Sequence, residues 1–145
     1  MKNKSQTTRI VFTNRDRFGL EIENRFICYK KVHDNIEPLL SRIGYFADTP
    51  FDWVRINHLY DTENDFSPAY NRIDEKYKCL PVTIKIDALA FVAADRKNPD
   101  LLVTFFEIST LECLIHVGQK YSINTSALEE ERGSLDEIPR WEKIF

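Results

Sequence analysis

The sequence predicts a single α+β domain, in which an antiparallel or mixed sheet of four to five strands packs against a long central helix and shorter helices. The chain has 145 residues, the size of one domain, and 43% of them are hydrophobic. Residues 98–121 follow a helical period throughout. Several shorter runs alternate with the period of two that is typical of half-buried strands.

The long helix is the clearest element. Asn98 can cap its start, Pro99 suits the first helical position, and Asp100 favours the positive end of the helix dipole. Apolar residues recur in a stripe so wide that the helix needs cover on more than one side: Leu101, Leu102, Phe105, Ile108, Leu111, Leu114, Ile115 and Val117. We therefore expect this helix to form the core and to pack Cys113 and His116.

Five runs rich in β-branched or alternating apolar residues are predicted as strands. They span residues 8–13, 18–23, 25–32, 51–60 and 82–87. In the fourth run, Val54, Ile56, His58 and Tyr60 should share one face.

Three shorter helices are also predicted. The first starts at Asp34 or Asn35, tolerates Pro38 only in its first turn, and ends at Gly44. The second starts at Ser67 and Pro68, places Tyr70, Ile73 and Tyr77 on one face, and stops at Pro81. The third has a capping box formed by Ser126 and Glu129 and is closed by Gly133. Residues 88–94 are apolar throughout, so periodicity leaves helix and strand open.

The two ends of the chain differ in composition. Residues 1–7 are polar and are expected to be flexible. The last residues include Ile138, Trp141 and Phe145, so we expect this tail to dock onto the domain. No secretory signal and no apolar run near the ~20 residues of a membrane span is evident. Three cysteines, Cys28, Cys79 and Cys113, form no metal or redox motif. These features favour a reducing cytoplasm.

No catalytic or cofactor motif is present. The three histidines, His33, His58 and His116, lack the spacing of a metal site, and the four glycines form no phosphate-binding loop. His58 is interpreted as a hydrogen-bonded residue of the core or its rim. We therefore predict no enzyme, no metal and no cofactor. A small enzyme built on His58 is the weakest alternative.

Charge is unevenly distributed along the chain. Residues 1–33 carry eight basic and three acidic groups, whereas the net charge of the whole chain is −3. Residues 9–31 interleave basic side chains with Phe12, Phe18, Phe26 and Tyr29, which is the mixture that nucleic-acid binding requires. A nucleic-acid-binding accessory protein is therefore the alternative function, although alternating aromatic residues in a strand more often belong to a core.

Two acidic clusters are candidate contacts for a basic partner, because fixed charges accelerate encounter and set orientation. The first comprises Asp61, Glu63 and Asp65 on a loop. The second comprises Glu129, Glu130 and Glu131 on the last helix. Tyr70 is a candidate aromatic anchor, as are Trp53, Tyr60 and Trp141.

Four segments of the chain resemble bacterial immunity proteins that accompany polymorphic toxins, including those of contact-dependent growth inhibition. They are residues 51–56 (FDWVRI), 74–87 (DEKYKCLPVTIKID), 111–121 (LECLIHVGQKY) and 128–133 (LEEERG). The resemblance implies a cytoplasmic inhibitor that binds the C-terminal domain of one cognate toxin, often a nuclease acting on tRNA. It assigns no binding residue by motif.

Overall fold

A computed structural model of the chain describes residues 9–16, 22, 24–61 and 68–135. Four strands and four helices lie within these ranges. The strands are β1 (Ile10–Asp16), β2 (Trp53–Asp61), β3 (Pro68–Tyr70) and β4 (Cys79–Asp87). The helices are α1 (Arg25–Ile43), α2 (Ala88–Lys97), α3 (Pro99–Lys120) and α4 (Ser126–Gly133). The predicted α+β class is confirmed.

The strands form one mixed sheet in the order β1-β2-β4-β3. β1, β2 and β4 are parallel. The helix α1 returns the chain from β1 to β2, and β3 lies in the connection from β2 to β4. The short β3 pairs antiparallel with β4 at the edge.

The two faces of the sheet differ in cover. Even-numbered residues of β2 and β4 point to the inner face and are buried, whereas their odd-numbered neighbours are mostly half-exposed. Rings of three helices pack on the inner face: Tyr29 of α1 on Phe12, Phe91 of α2 on Tyr60, and Phe106 of α3 on His58. The predicted inner set of Val54, Ile56, His58 and Tyr60 is confirmed.

The prediction of a strand at residues 25–32 is wrong, because these residues form the first two turns of α1. Cys28, Val32 and Ile36 recur at a spacing of four and are all buried, so the helical period of the following segment extends backwards. Pro38 therefore lies inside the helix rather than in its first turn. It stands at an exposed position, where the loss of its N–H is tolerated. Gly44 ends the helix in the left-handed conformation, with φ of 64°.

The predicted helix over residues 67–81 is also wrong. Tyr70 pairs with Val82 in the sheet, and the Asp74 carboxylate accepts hydrogen bonds from the N–H groups of Lys76 and Tyr77 to close a tight loop. Pro81 lies within β4 instead of ending a helix. Its carbonyl accepts from the N–H of Asn71, so its missing N–H faces the β3 edge and not the ladder with β2.

Side-chain capping resolves the open assignment of residues 88–94. The Asp87 carboxylate accepts from the N–H groups of Leu89 and Ala90 and thereby starts α2. The predicted capping box of α4 is displaced: the Thr125 hydroxyl donates to the Glu129 carboxylate at 2.8 Å, and Ser126 is already helical.

α3 is the predicted central helix, with Pro99 in its first turn, although the Asn98 side chain makes no capping hydrogen bond. By length and composition α3 could cross a membrane, but 67% of its most apolar window is buried inside the domain. It is therefore a core helix of this fold.

Several predictions fall outside the described residues. They are the flexible residues 1–7, most of the strand over 18–23, and the docking of the tail with Trp141.

Candidate partner-binding surface

α3 is mostly buried, but its second half exposes one polar strip. Glu112, His116 and Lys120 are exposed and stand at intervals of four residues, so they share one helical face. The expectation that His116 packs in the core is wrong, whereas Cys113 beside it is buried as predicted. This polar period of four was a signal in the sequence, but the apolar stripe on the other positions obscured it.

Tyr70 of β3 packs on one flank of this strip. Its ring stacks on the His116 imidazole with 4.5 Å between the ring centroids and 18° between the planes. Burial raises the pKa of the Tyr70 hydroxyl, and the neighbouring Cys113 and Glu112 raise it further. Tyr70 is therefore an uncharged aromatic group at neutral pH, half-exposed and held in place by its neighbours.

A groove of about 620 Å³ runs beside the stacked pair. It contains both acidic and basic side chains together with apolar ones, which is a mixture suited to a protein surface. We call it the α3 groove and define it by Tyr70, Arg72, Glu75, His116, Lys120 and Tyr121.

The acidic helix α4 packs on the other flank of the strip. Arg132 of α4 donates from Nε to the Glu112 carboxylate at 3.0 Å, so Glu112 lies between α4 and Tyr70. Glu129 and Glu130 are exposed and Glu131 is half-exposed. Tyr70 and the helix that carries the second acidic cluster thus both contact this strip, through His116 and Glu112 respectively, whereas Glu130 lines a separate depression beside Ile43 of α1.

The first acidic cluster lies elsewhere. Asp61 is the last residue of β2 and pairs with Asp87, at the carboxyl ends of the parallel strands. Phe51, just before β2, packs on Tyr121, just after α3, with 5.3 Å between their centroids. The end of α3 and α4 therefore lie at the amino ends of the strands, away from Asp61. Glu63 and Asp65 lie outside the described residues.

Neither Tyr60 nor Trp53 is a freely exposed ring, and Trp141 lies outside the described residues. Tyr60 is fully buried, with the Arg25 guanidinium 4.9 Å from its ring centroid. Trp53 is half-buried and donates from Nε1 to the Tyr77 carbonyl at 3.0 Å. Among the described candidates, Tyr70 is thus the aromatic anchor that lines a groove.

One histidine, His58, and the two cysteines Cys28 and Cys113 are buried. His58 has no exposed surface, and its Nδ1 is hydrogen-bonded to the Tyr29 hydroxyl at 2.9 Å. Burial, together with a smaller contribution from the nearby Arg25 charge, lowers the pKa of His58 to about 3. Burial also raises the pKa of the Cys28 thiol to about 11 and that of Cys113 to about 12. These groups are neutral at pH 7 and inaccessible to a substrate.

The described residues of the basic and aromatic segment 9–31 do not form one surface. Phe12 and Tyr29 stack on each other in the core, and Arg25 is buried with its guanidinium donating to the Asn14 side chain at 2.6 Å. Lys30 is on the exposed side of α1 and pairs with Asp34. The described part of this segment therefore offers no continuous platform for nucleic-acid bases.

The sequence model of the family described as immunity protein 39 matches residues 21–134, and the chain belongs to that family. No curated protein and no solved structure matches the chain significantly. The resemblance to immunity proteins of polymorphic toxins is confirmed, and the match also includes residues 21–50, which the resembling segments leave out. Membership implies a toxin-neutralising protein with a cognate toxin as partner and favours an inhibitor that is not an enzyme.

Proposed function

We propose that this member of the immunity protein 39 family neutralises a nuclease toxin in the cytoplasm of the cell that produces it. The nuclease acts on RNA, with tRNA as the leading candidate, and the system is of the contact-dependent growth inhibition type. The inhibitor blocks the active site or an adjacent exosite with the surface around α3. The observation that carries this proposal is the half-exposed Tyr70, which stacks on His116 of the exposed strip, while the acidic helix α4 is ion-paired to Glu112 of the same strip.

The acidic side of this surface suits a nuclease. An enzyme that holds RNA needs a basic cleft, and carboxylates at fixed positions can occupy the sites where phosphates would bind. Two of the three glutamates of α4 are exposed. The helix that carries them is fixed to α3 through the Arg132–Glu112 ion pair, so these charges keep one position relative to the groove.

The aromatic side supplies a rigid contact. Binding energy at protein interfaces is concentrated in a few residues, with Tyr and Trp enriched among them, because a large ring with few rotatable bonds loses little entropy on binding. Stacking on His116 holds the Tyr70 ring before the partner arrives. The Asp61 loop remains a candidate second contact, at the other end of the strands.

The test is binding to the catalytically inactive C-terminal domain of the toxin encoded beside this chain. Glu130→Lys should slow association several-fold, and the loss should grow at low salt, where charges are less screened. Tyr70→Ala should chiefly speed dissociation and raise the dissociation constant about 30-fold, which corresponds to about 2 kcal/mol. Both variants should protect cells from the toxin less well.

Asp100→Lys is the matched control, because it makes the same change in net charge at the opposite end of α3. It should leave both rates nearly unchanged. Equal association rates for wild type, Glu130→Lys and Asp100→Lys would contradict the role of α4. Failure of the wild-type protein to bind the toxin domain at all would contradict the proposed function.

A further inference from the structure

The middle of the outer face of the sheet carries basic side chains, whereas the Asp87 carboxylate caps α2 at the carboxyl end of β4. Arg15 of β1, Arg55 of β2 and Lys85 of β4 occupy odd-numbered positions, which point away from the helices. A polar row separates Arg55 from the other two: Thr13 pairs with Asn57, and the Thr13 hydroxyl donates to the Asn57 side-chain oxygen at 3.1 Å. In the part of the chain that the structure describes, no helix packs on this face.

This face contains a shallow depression of about 490 Å³. Its lining includes both arginines together with the side chains of Thr13, Asn57 and Thr83. None of the described residues that line it is acidic. Neither Arg15 nor Arg55 forms an ion pair with a described residue, so their guanidinium groups are available to carboxylates.

The depression and the α3 groove meet at the β3 edge of the sheet. Asn71, the residue after β3, lines both of them. Tyr70 turns inwards to His116, whereas Ala69 beside it points to the outer face. A partner that covers this edge therefore contacts both concave surfaces at once.

We propose that the outer face of the sheet is a second contact surface for the toxin and binds a carboxylate-bearing part of it. The toxin then contacts the β3 edge on both faces of the sheet. This inference rests on the proposed function, because it takes the toxin as the occupant. Charge complementarity supports it, since the exposed Arg15 and the half-buried Arg55 line a depression without a described carboxylate and therefore match an acidic surface. Contacts of opposite sign on the two sides permit only one orientation of the complex.

The chemistry of the face favours a protein over single-stranded RNA. Binding of unpaired bases needs aromatic rings on which they stack. The central rows of this face present Thr13, Asn57, Leu59 and Thr83, none of which has a ring. Trp53 lies at one end of β2, and its indole is already tied to the Tyr77 carbonyl.

The experiment measures binding of the inactive toxin domain to Arg55→Glu, Arg15→Glu and the double variant. Each single reversal should raise the dissociation constant about tenfold and the double variant roughly a hundredfold, mainly through slower association at low salt. Arg55→Gln keeps a polar side chain of similar length and should give about half of the single effect on a logarithmic scale. Arg55 is half-buried, so Arg55→Glu could lose binding by misfolding, and Arg55→Gln controls for this. Thermal melts verify that both variants are folded.

Lys31→Glu on the exposed side of α1 is the matched control, with the same change in net charge on the helix layer. Unchanged binding of the double variant would overturn this inference and leave the proposed function intact. An equal loss of affinity in Lys31→Glu would also overturn this inference, because the effect would then not depend on the outer face. A gel shift of tRNA by the wild-type protein that disappears in Arg55→Glu would assign the face to RNA binding and would also overturn this inference. If wild type fails to bind the toxin domain, the proposed function itself fails.

Discussion

Two histidine–tyrosine pairs stack in similar geometry in different regions of this domain. His58 and Tyr29 lie in the core with 5.3 Å between centroids and 17° between planes. His116 and Tyr70 lie beside the α3 groove at 4.5 Å and 18°. The core pair is enclosed by Phe12 and Phe106, whereas His116 is exposed.

Burial, rather than residue type, separates their roles. In the core the imidazole is held neutral, because a charged ring would lose its hydration without gaining a counter-ion. Its Nδ1 has the Tyr29 hydroxyl as a partner, while its Nε2 makes no hydrogen bond with a described residue. The surface pair remains in contact with solvent on one side. We therefore expect the core pair to determine stability and the surface pair to determine binding.

The largest effect should come from removing the ring that packs on the core pair. Phe106 is fully buried and lies 4.8 Å from His58 and 4.9 Å from Tyr29 by ring centroids. Phe106→Ala should lower the free energy of unfolding by about 3–5 kcal/mol, because it leaves a cavity that rigid neighbours cannot fill. Denaturant unfolding measures this loss. Phe26→Ala, on a ring that is 71% exposed, should change stability by less than about 0.5 kcal/mol. Similar losses for the two variants would contradict the assigned core.

The second effect concerns pH. The pKa of His58 is about 3 in the folded chain, against about 6.5 in an unfolded chain. Between these values the unfolded state binds more protons, so stability falls as the pH drops from about 6.5 towards 3. The slope from this residue should reach about 1.4 kcal/mol per pH unit.

His58→Gln provides the comparison for that slope, because glutamine does not titrate. Unfolding of the two proteins is measured from pH 7 to pH 4. The variant should lose the histidine component of the slope, whereas His116→Gln should retain it. A slope that stays the same in His58→Gln would show that other groups cause the acid sensitivity.

Elements that a local sequence pattern determines were predicted, whereas elements that depend on tertiary contacts were missed. α3 and β2 were predicted because each has a period that a single face explains, namely the wide apolar stripe of 98–121 and the alternation of 53–60. The start of α1 was missed because residues 25–32 also alternate over a short window. β3 was missed because three residues form a strand only when β4 is present to pair with them.

The arrangement of the candidate site was less visible in the sequence than the fold. Tyr70 and the glutamates of α4 were named from residue type alone, and the ion pair that ties α4 to Glu112 depends on how α4 packs on α3. The Asp87 cap of α2 and the polar period of 112, 116 and 120 were visible in the sequence. The cationic outer face was not, because its three basic residues come from three separate strands that only the sheet places together.

Removing the hydroxyl group from each tyrosine should give a smaller effect that again differs between the pairs. Tyr29→Phe removes the hydroxyl that is hydrogen-bonded to His58 Nδ1. Because His58 Nε2 also has no described partner, the variant should lower the free energy of unfolding by about 1–3 kcal/mol. Tyr70→Phe keeps the ring stacked on His116 in a half-exposed place and should cost less than about 1 kcal/mol. Chemical denaturation at pH 7 compares them. A larger loss for Tyr70→Phe than for Tyr29→Phe would reverse the assignment of the two pairs.

The smallest effect on stability is expected at His116, and it separates a binding role from a structural one. His116→Ala removes an exposed ring and improves helix propensity, so the free energy of unfolding should change by less than about 0.5 kcal/mol. Tyr70 would lose the ring that fixes it, so the free ring would sample more orientations and bind the toxin domain about three- to tenfold more weakly, mainly through faster dissociation. His116→Phe retains a stacking surface and should restore most of the affinity. If His116→Ala binds the toxin domain as tightly as wild type, stacking on His116 does not contribute to recognition.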